Sequence, residues 1–95
     1  MIRVSVLYPK SDGATFDHDY YRKTHVPMAV AGWKPARTEI DMGLDGPFVA
    51  AVHFFFESMD RFQQCMGMPV TGDLMADLPN YTNIEAQIQV SEVVG

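Results

Sequence analysis

Hydrophobic and polar residues alternate with a period of two in three separate stretches of the chain. These stretches run from about Ile2 to Tyr8, from about Ala36 to Leu44 and from Ile84 to Val94. A period of two is typical of strands that bury one face and expose the other. A fourth stretch, Phe48–Glu57, is almost continuously apolar, as expected of a central strand buried on both sides. The pattern therefore predicts four strands.

A first helix is predicted between the first two strands. Asp17 is a good N-cap, because its carboxylate can accept hydrogen bonds from the free amides of the first turn. The helix would continue in some form to Gly32. Pro27 cannot donate a hydrogen bond to the carbonyl of Lys23, so we expect a kink immediately after His25.

A second helix is predicted from the Ser58 cap to Met66. Beyond it, Pro69, Gly72 and Pro79 are expected to divide the chain into short turns. The resulting order is strand, helix, strand, strand, helix, strand. This order predicts the ferredoxin-like α+β fold, a four-stranded antiparallel sheet with both helices on one face.

The two faces of the predicted sheet differ in polarity. The apolar residues of the first and last strands should pack beneath the helices: Ile2, Val4, Val6, Tyr8, Ile84, Ala86, Ile88 and Val90. The opposite face carries Arg3, Ser5, Leu7, Glu85, Gln87, Gln89 and Ser91. Such a face is either solvated or buried against the sheet of a second copy. His53 and Phe55 would need partners there, which favours a homodimer.

Length and charge limit the classes of protein to consider. The 95 residues suit a single domain covering residues 1–95. A net charge of -5 without a cluster of Lys or Arg argues against nucleic acid or an anionic membrane as a partner. No apolar run reaches the roughly 20 residues of a membrane span. The start of the chain reads as a strand rather than a signal peptide, so we expect a cytoplasmic protein.

Histidine and tyrosine are concentrated in the segment Phe16–Met28. His25 is the candidate general acid or base, since imidazole titrates near neutral pH and can move a proton on an enolisable or lactone substrate. Tyr21, one turn earlier, could orient the ring or stabilise an oxyanion. Substrate-binding candidates are Tyr20, Trp33, His53, Phe54, Phe56, Phe62 and Met66. Structural alternatives remain open: a helix-terminal histidine, tyrosines in plain core packing, and a core or interface role for His53.

The sequence contains no motif for metal binding, nucleotide cofactors, disulfides or nucleophilic catalysis. His18 and His25 could share a helical face, but no Cys or carboxylate stands beside them at ligand spacing, so no metal site is predicted. No glycine-rich nucleotide loop precedes a helix, and no cofactor is predicted. The single Cys65 excludes an intrachain disulfide. The sequence also shows no nucleophile constellation, which keeps a non-catalytic small-molecule-binding or accessory protein as the competing hypothesis.

Four segments of the chain carry a family resemblance: the start Met1–Tyr8, the block Phe16–Tyr21, His25–Met28 and Phe54–Ser58. Together they resemble the EthD family, named for ethyl tert-butyl ether degradation. The resemblance implies a dimeric α+β barrel, in which two ferredoxin-like sheets face each other and each subunit keeps a pocket between sheet and helices. It also implies oxidoreductase or catabolic chemistry on a small apolar or ring substrate. Superfamily analogy leaves heme, with His25 as axial ligand, as a weak alternative.

Overall fold

The chain folds as a four-stranded antiparallel sheet with helices on one face. The computed structural model describes residues 1–95. The strands are β1 (Ile2–Pro9), β2 (Arg37–Met42), β3 (Phe48–Phe56) and β4 (Gln87–Glu92). Their order across the sheet is β2-β3-β1-β4, and every neighbouring pair is antiparallel. This is the predicted ferredoxin-like fold, with a last strand shorter than the sequence pattern indicated.

Three helices and one short 3₁₀ turn complete the fold. The first, α1, has three contiguous segments: His18–Tyr20, a π-helical turn Tyr21–His25, and Val26–Trp33. The others are α2 (Met59–Met66), α3 (Pro69–Asp77) and the 3₁₀ turn Leu78–Asn80. None of these helices has the length and apolar character needed to cross a membrane. The predicted Ser58 cap of α2 is confirmed, since its Oγ accepts from the Arg61 amide at 3.2 Å.

The interruption of α1 differs from the predicted kink. The wide turn comes before and through His25 instead of after it, and the Val26 amide donates to the carbonyl of Tyr21, five residues back. Pro27 lies at the start of the following α-helical segment. A proline ring crowds the carbonyl four residues earlier, here that of Lys23, and a π turn widens the helix at this point.

The prediction of short turns is wrong for Pro69–Asp77, which forms α3, whereas Pro79 does lie in a short 3₁₀ turn, Leu78–Asn80. Proline is well tolerated at the first helical position, where its missing amide would have no partner. Gly72 lowers the intrinsic helix propensity, but packing overrides that preference: Leu74 is buried in the core. Val70 and Leu78 pack against the same core at helical spacing.

The core lies between the sheet and the helices. Val4 and Tyr8 are buried there, and Ile2 and Val6 pack against them, as predicted. Ile88 and Val90 were expected beneath the helices as well, but they are 67% and 38% exposed. They do lie on the helix side, opposite Val6 and Val4 in the register. However, β4 is an edge strand, and its apolar side chains extend beyond the helical cover.

Candidate functional site

The candidate site is a histidine–aspartate pair where α1 meets the end of α3. His25 Nδ1 and Asp77 Oδ2 are 2.8 Å apart, and both side chains are 11% exposed. On the other side of the ring, His25 Nε2 is 3.3 Å from the hydroxyl of Tyr81. That hydroxyl is in turn 2.8 Å from the hydroxyl of Tyr8. Four side chains thus form one continuous hydrogen-bonded chain.

The Asp77 carboxylate at one end of these hydrogen bonds determines which group donates in each of them. Ionised Asp77 can only accept, so His25 carries its proton on Nδ1 and presents the lone pair of Nε2. The Tyr81 hydroxyl then donates to Nε2 and accepts from Tyr8. Neutral His25 is therefore oriented as a base, with its basic nitrogen facing a tyrosine hydroxyl.

Asp77 is held ionised by several donors. Its Oδ1 accepts from the Tyr20 hydroxyl at 2.7 Å and from the Asn80 amide at 2.9 Å. Burial by itself would raise the pKa of Asp77, but the hydrogen bonds from Asn80, Tyr20 and His25 outweigh it and hold the pKa below its ordinary value. The same carboxylate raises the pKa of the Tyr20 hydroxyl, chiefly through their hydrogen bond.

Burial dominates the titration of His25. Desolvation lowers its pKa from the ordinary value, against the opposing effect of the Asp77 carboxylate. The ring of Tyr21 stacks on the imidazole, with centroids 5.5 Å apart and planes inclined by 15°. The π turn brings these two residues to the inner side of α1, where both are buried. His25 is consequently a neutral, oriented imidazole.

The tyrosines of this site are held protonated. Burial raises the pKa of Tyr8, Tyr21 and Tyr81, with desolvation as the largest cause for each. The Tyr8 hydroxyl and the Asp77 charge raise the pKa of Tyr81 further. A free phenolate at Tyr81 is therefore strongly disfavoured, and its hydroxyl can pass a proton only while receiving another.

An open groove of about 380 Å³ adjoins the hydrogen-bonded side chains at Tyr81. It is lined by Thr15, Phe16, Asp17, Pro79, Asn80, Tyr81, Thr82 and Asn83. Tyr81 thus belongs to the groove and to the hydrogen-bonded chain. A second groove of about 390 Å³ runs between α1 and β2 and is lined by Arg22, Val26, Pro27, Val30, Ala31, Thr38 and Ile40. Both grooves are open to solvent.

The residues proposed from the sequence fall into four places, the last of which is that of His53. Tyr20, Tyr21 and His25 meet at the candidate site. Trp33, Phe54, Phe56 and Phe62 pack on one another in the core, with ring centroids 5.2 Å apart for Trp33 and Phe54. Met66 is 40% exposed at the end of α2.

His53 lies on the other face of the sheet, away from His25. Its Nδ1 is 2.7 Å from Ser5 Oγ, and its Nε2 is 2.9 Å from Asp41 Oδ2. We call Ser5, His53 and Asp41 the outer row. The sequence stretch around each of these residues gives no sign of this arrangement.

Asp77 and Tyr81 were missed from the sequence. Asp77 is the last residue of α3, a helix that the prolines and Gly72 concealed. The spacing of Val70, Leu74 and Leu78 was the available signal for that helix. No three side chains among His, Cys, Asp and Glu converge as metal ligands.

Comparison with solved structures identifies relatives over nearly the whole chain. An EthD-like protein from Ralstonia eutropha JMP134 is 38% identical, with a TM-score of 0.90, covering 99% of this chain and 92% of that one. An ethyl tert-butyl ether degradation (EthD) family protein from Bacillus halodurans C-125 has a TM-score of 0.79 at 14% identity, with 99% of both chains covered. Neither a protein-family model nor a curated protein matches the chain.

A third neighbour comes from Bacteroides fragilis. It is described as a dimeric protein of unknown function with a ferredoxin-like fold, and it matches with a TM-score of 0.63 at 11% identity, covering 97% of this chain and 95% of the neighbour. At such low identity the likeness concerns the fold alone.

Proposed function

The chain belongs to the EthD family, and we propose that it is a small-molecule enzyme in which His25 acts as general acid or base. The observation that supports this proposal is the oriented His25–Asp77 pair, whose atoms lie 2.8 Å apart. A carboxylate that fixes the tautomer of a neutral imidazole is a recurrent arrangement for proton transfer. The reaction class is proton abstraction and return beside a carbonyl, as in isomerisation or lactone chemistry.

The groove at Tyr81 is the proposed substrate site. Its volume of about 380 Å³ lies within the usual range for small-molecule sites. Its polar side chains, including Thr15, Asn80 and Asn83, suit a ring compound that carries oxygen. As the Tyr81 hydroxyl takes a proton from the substrate, it would pass its own proton to His25 Nε2. The raised pKa of Tyr81 requires these two transfers to be concerted.

Tyr21 and Asp77 are assigned positioning roles. Tyr21 stacks on the imidazole and is almost fully buried, so it would hold the ring instead of touching substrate. Asp77 would fix the Nδ1–H tautomer and stabilise the imidazolium that forms. We extend the proposal to degradative chemistry on small apolar or aromatic rings; the name of the Bacillus relative refers to the degradation of an apolar ether.

Solvent deuterium exchange tests the proposal without a known substrate. Cyclohexanone and γ-butyrolactone would be incubated with the protein in D₂O, and incorporation at the carbon beside the carbonyl followed by NMR. We expect exchange with the unaltered protein, a loss of about 100-fold in His25→Gln, and no change in the matched variant His18→Gln, whose half-buried ring packs on Phe16 outside the hydrogen-bonded chain of His25. Equal exchange by His25→Gln and the unaltered protein would refute the general-base role.

Native mass spectrometry separates catalysis from simple binding. A small molecule that copurifies with the protein, and is retained unchanged by both His25→Gln and the unaltered protein, would favour the accessory, non-catalytic alternative. A ligand retained by His25→Gln but released in altered form by the unaltered protein would support the enzyme.

A homodimer through the outer face of the sheet is part of the proposal. Phe55 on this face is already covered within one chain, since it is 5% exposed and lies beneath the Arg37 guanidinium, 4.1 Å from the ring centroid, so the support for a homodimer comes from the comparison. The Bacteroides neighbour is described as dimeric. Sedimentation should give a dimer that Leu7→Asp weakens, whereas Met75→Asp, on the exposed side of α3, should leave it intact. A monomer at all concentrations would refute this assembly.

A further inference from the structure

A single charged side chain, the carboxylate of Asp17, lines the groove at Tyr81. The Asp17 amide donates to the Tyr81 carbonyl at 2.8 Å, so the two residues lie side by side. We propose that the groove selects ring compounds that carry a protonated amine, and that Asp17 is the residue that determines this specificity. The inference rests on the proposed function, because it names the charge of the substrate of that same groove. Uncharged residues make up the rest of the lining: Thr15, Phe16, Pro79, Asn80, Tyr81, Thr82 and Asn83.

The Asp17 carboxylate keeps one oxygen for a ligand. As the N-cap of α1, it accepts the hydrogen bond of the Tyr20 amide on Oδ1 at 3.0 Å. Its Oδ2 makes no hydrogen bond within the chain, and the residue is exposed. The N-terminus of a helix carries about half a positive charge, which the full negative charge of the carboxylate exceeds. The groove is therefore negative at its Asp17 side.

Aromatic rings and an amide oxygen in the same groove also suit a cation. Phe16 and Tyr81 both line it, with ring centroids 5.5 Å apart, and Phe16 is only half-buried. The faces of aromatic rings attract ammonium groups. Asn80 donates to Asp77 at 2.9 Å through its amide nitrogen, which leaves Oδ1 as its acceptor atom. A carboxylate, aromatic rings and a carbonyl oxygen together recognise a protonated amine.

A second carboxylate makes a negatively charged substrate unfavourable. Burial and Tyr8 raise the pKa of the Tyr81 hydroxyl, and the charge of Asp77 adds to both effects. A substrate that loses a proton beside its carbonyl becomes more negative as it reacts, and a carboxylate group on its ring would add further repulsion. No Lys, Arg or His lines the groove to compensate. A protonated amine would instead be attracted to Asp17 and would offset the developing charge.

The groove is accessible and lies away from the outer face of the sheet. It is open to solvent, and its lining comes from the loop before α1 and the segment after α3, not from a strand. The proposed homodimer through the outer face therefore does not use these residues, and the inference does not depend on that assembly.

Three lactones with the same ring test the proposal by binding alone. They are neutral γ-butyrolactone, α-amino-γ-butyrolactone, which is a cation at about pH 6, and the anion γ-butyrolactone-γ-carboxylate. Each would be titrated into ¹⁵N-labelled protein, and the NMR shifts of the Tyr81, Thr82 and Asn83 amides would give its Kd. We expect the cation to bind about threefold more tightly than the neutral lactone and the anion about threefold more weakly, as for an exposed charge pair. Equal affinities, or no shift of these amides with any lactone, would overturn the proposal.

Asp17→Asn removes the charge and keeps the helix cap, because asparagine is as good an N-cap as aspartate. The preference for the cation over the anion should disappear in this variant, while the Kd of γ-butyrolactone stays within about twofold of that of the unaltered protein. Asp19→Asn is the matched control, since it makes the same change of charge in the first turn of α1 but outside the groove. It should keep the preference. A preference that survives Asp17→Asn, or that Asp19→Asn abolishes equally, would refute the role of Asp17.

Binding and deuterium exchange distinguish this inference from the proposed function. If His25 is not a base, γ-butyrolactone will not exchange deuterium, but the order of the three Kd values will remain. If the groove does not select by charge, the three lactones will bind equally, but exchange of γ-butyrolactone will still depend on His25.

Discussion

Two histidine–aspartate pairs of nearly identical length occupy opposite faces of the same sheet. His25 and Asp77 are 2.8 Å apart on the helix side, and His53 and Asp41 are 2.9 Å apart on the outer side. Both members of the first pair are 11% exposed, whereas Asp41 is 59% exposed. Solvent access therefore separates the two pairs, although their contact geometry is similar. We therefore expect the two carboxylates to contribute different amounts to the free energy of unfolding.

The partners of each carboxylate reinforce this difference. Asp77 collects donors from Tyr20 and His25 on α1 and from Asn80 in the 3₁₀ turn after α3. Asp41 accepts a side-chain hydrogen bond from His53. A carboxylate that ties several elements together in a dry site is costly to remove, and an exposed one is largely replaced by water.

Removing the carboxylates should give the largest contrast. Asp77→Ala leaves the Nδ1–H of His25 without its acceptor in a buried site, and we expect it to lower the free energy of unfolding by about 2–3 kcal/mol. Asp41→Ala should lower it by about 0.5 kcal/mol, as for other exposed ion pairs. Urea denaturation of both variants measures the two values. Equal losses would contradict the assignment of the difference to solvent access.

Removing the hydroxyls should give a smaller contrast. Tyr81→Phe leaves both Tyr8 and His25 Nε2 without a partner in the core, for an expected loss of about 1–2 kcal/mol. Ser5→Ala frees only the half-buried His53 Nδ1, and about 0.5–1 kcal/mol is expected. Thermal or urea unfolding of both variants measures the two losses of unfolding free energy. A greater loss in Ser5→Ala than in Tyr81→Phe would reverse the ranking of the two faces.

The pH dependence of stability tests whether the pKa of His25 is lowered in the folded protein. Its pKa is lowered in the folded state, so the unfolded chain takes up the proton first as the pH falls. The contribution of neutral His25 is complete above the unfolded value of about 6.5 and is lost progressively below it. NMR titration of the imidazole should give a midpoint below that value, and Asp77→Asn should lower it further. A midpoint above it would contradict the dominance of burial.

The smallest effect is expected from Tyr20→Phe. This change removes one of the hydrogen bonds that hold the pKa of Asp77 below its ordinary value. The stability from ionised Asp77 is present above the unfolded pKa of about 3.9 and is lost as the pH falls through the folded value. Acid unfolding of Tyr20→Phe should therefore begin at a slightly higher pH. Circular dichroism against pH measures the shift, with Thr24→Ala as a surface control.

Periodicity predicted the fold well because strand faces are set by local sequence. The alternation in β1 and the apolar run of β3 correspond directly to their buried faces. The failure at Ile88 and Val90 has a different origin. Periodicity assigns a side chain to a face, but cannot show whether a helix reaches the edge strand that carries it.

The candidate site was only half accessible from the sequence. His25 and Tyr21 stand close together in one segment, so their meeting could be predicted. Asp77 is 52 residues away from His25, and its partner role depends on a helix with a proline start and an internal glycine. Pairing of distant side chains also explains why the outer row was missed, since 48 residues separate Ser5 from His53.

The π turn of α1 has a consequence for comparing this protein with its relatives. A turn closed five residues back holds one more residue than an α-helical turn, so it is equivalent to a single-residue insertion within the helix. A relative without that extra residue would show an alignment gap between Tyr21 and Val26, and its helix would present a different side chain to Asp77. The length of this short segment, more than the identity of any residue in it, would then mark which relatives share the site.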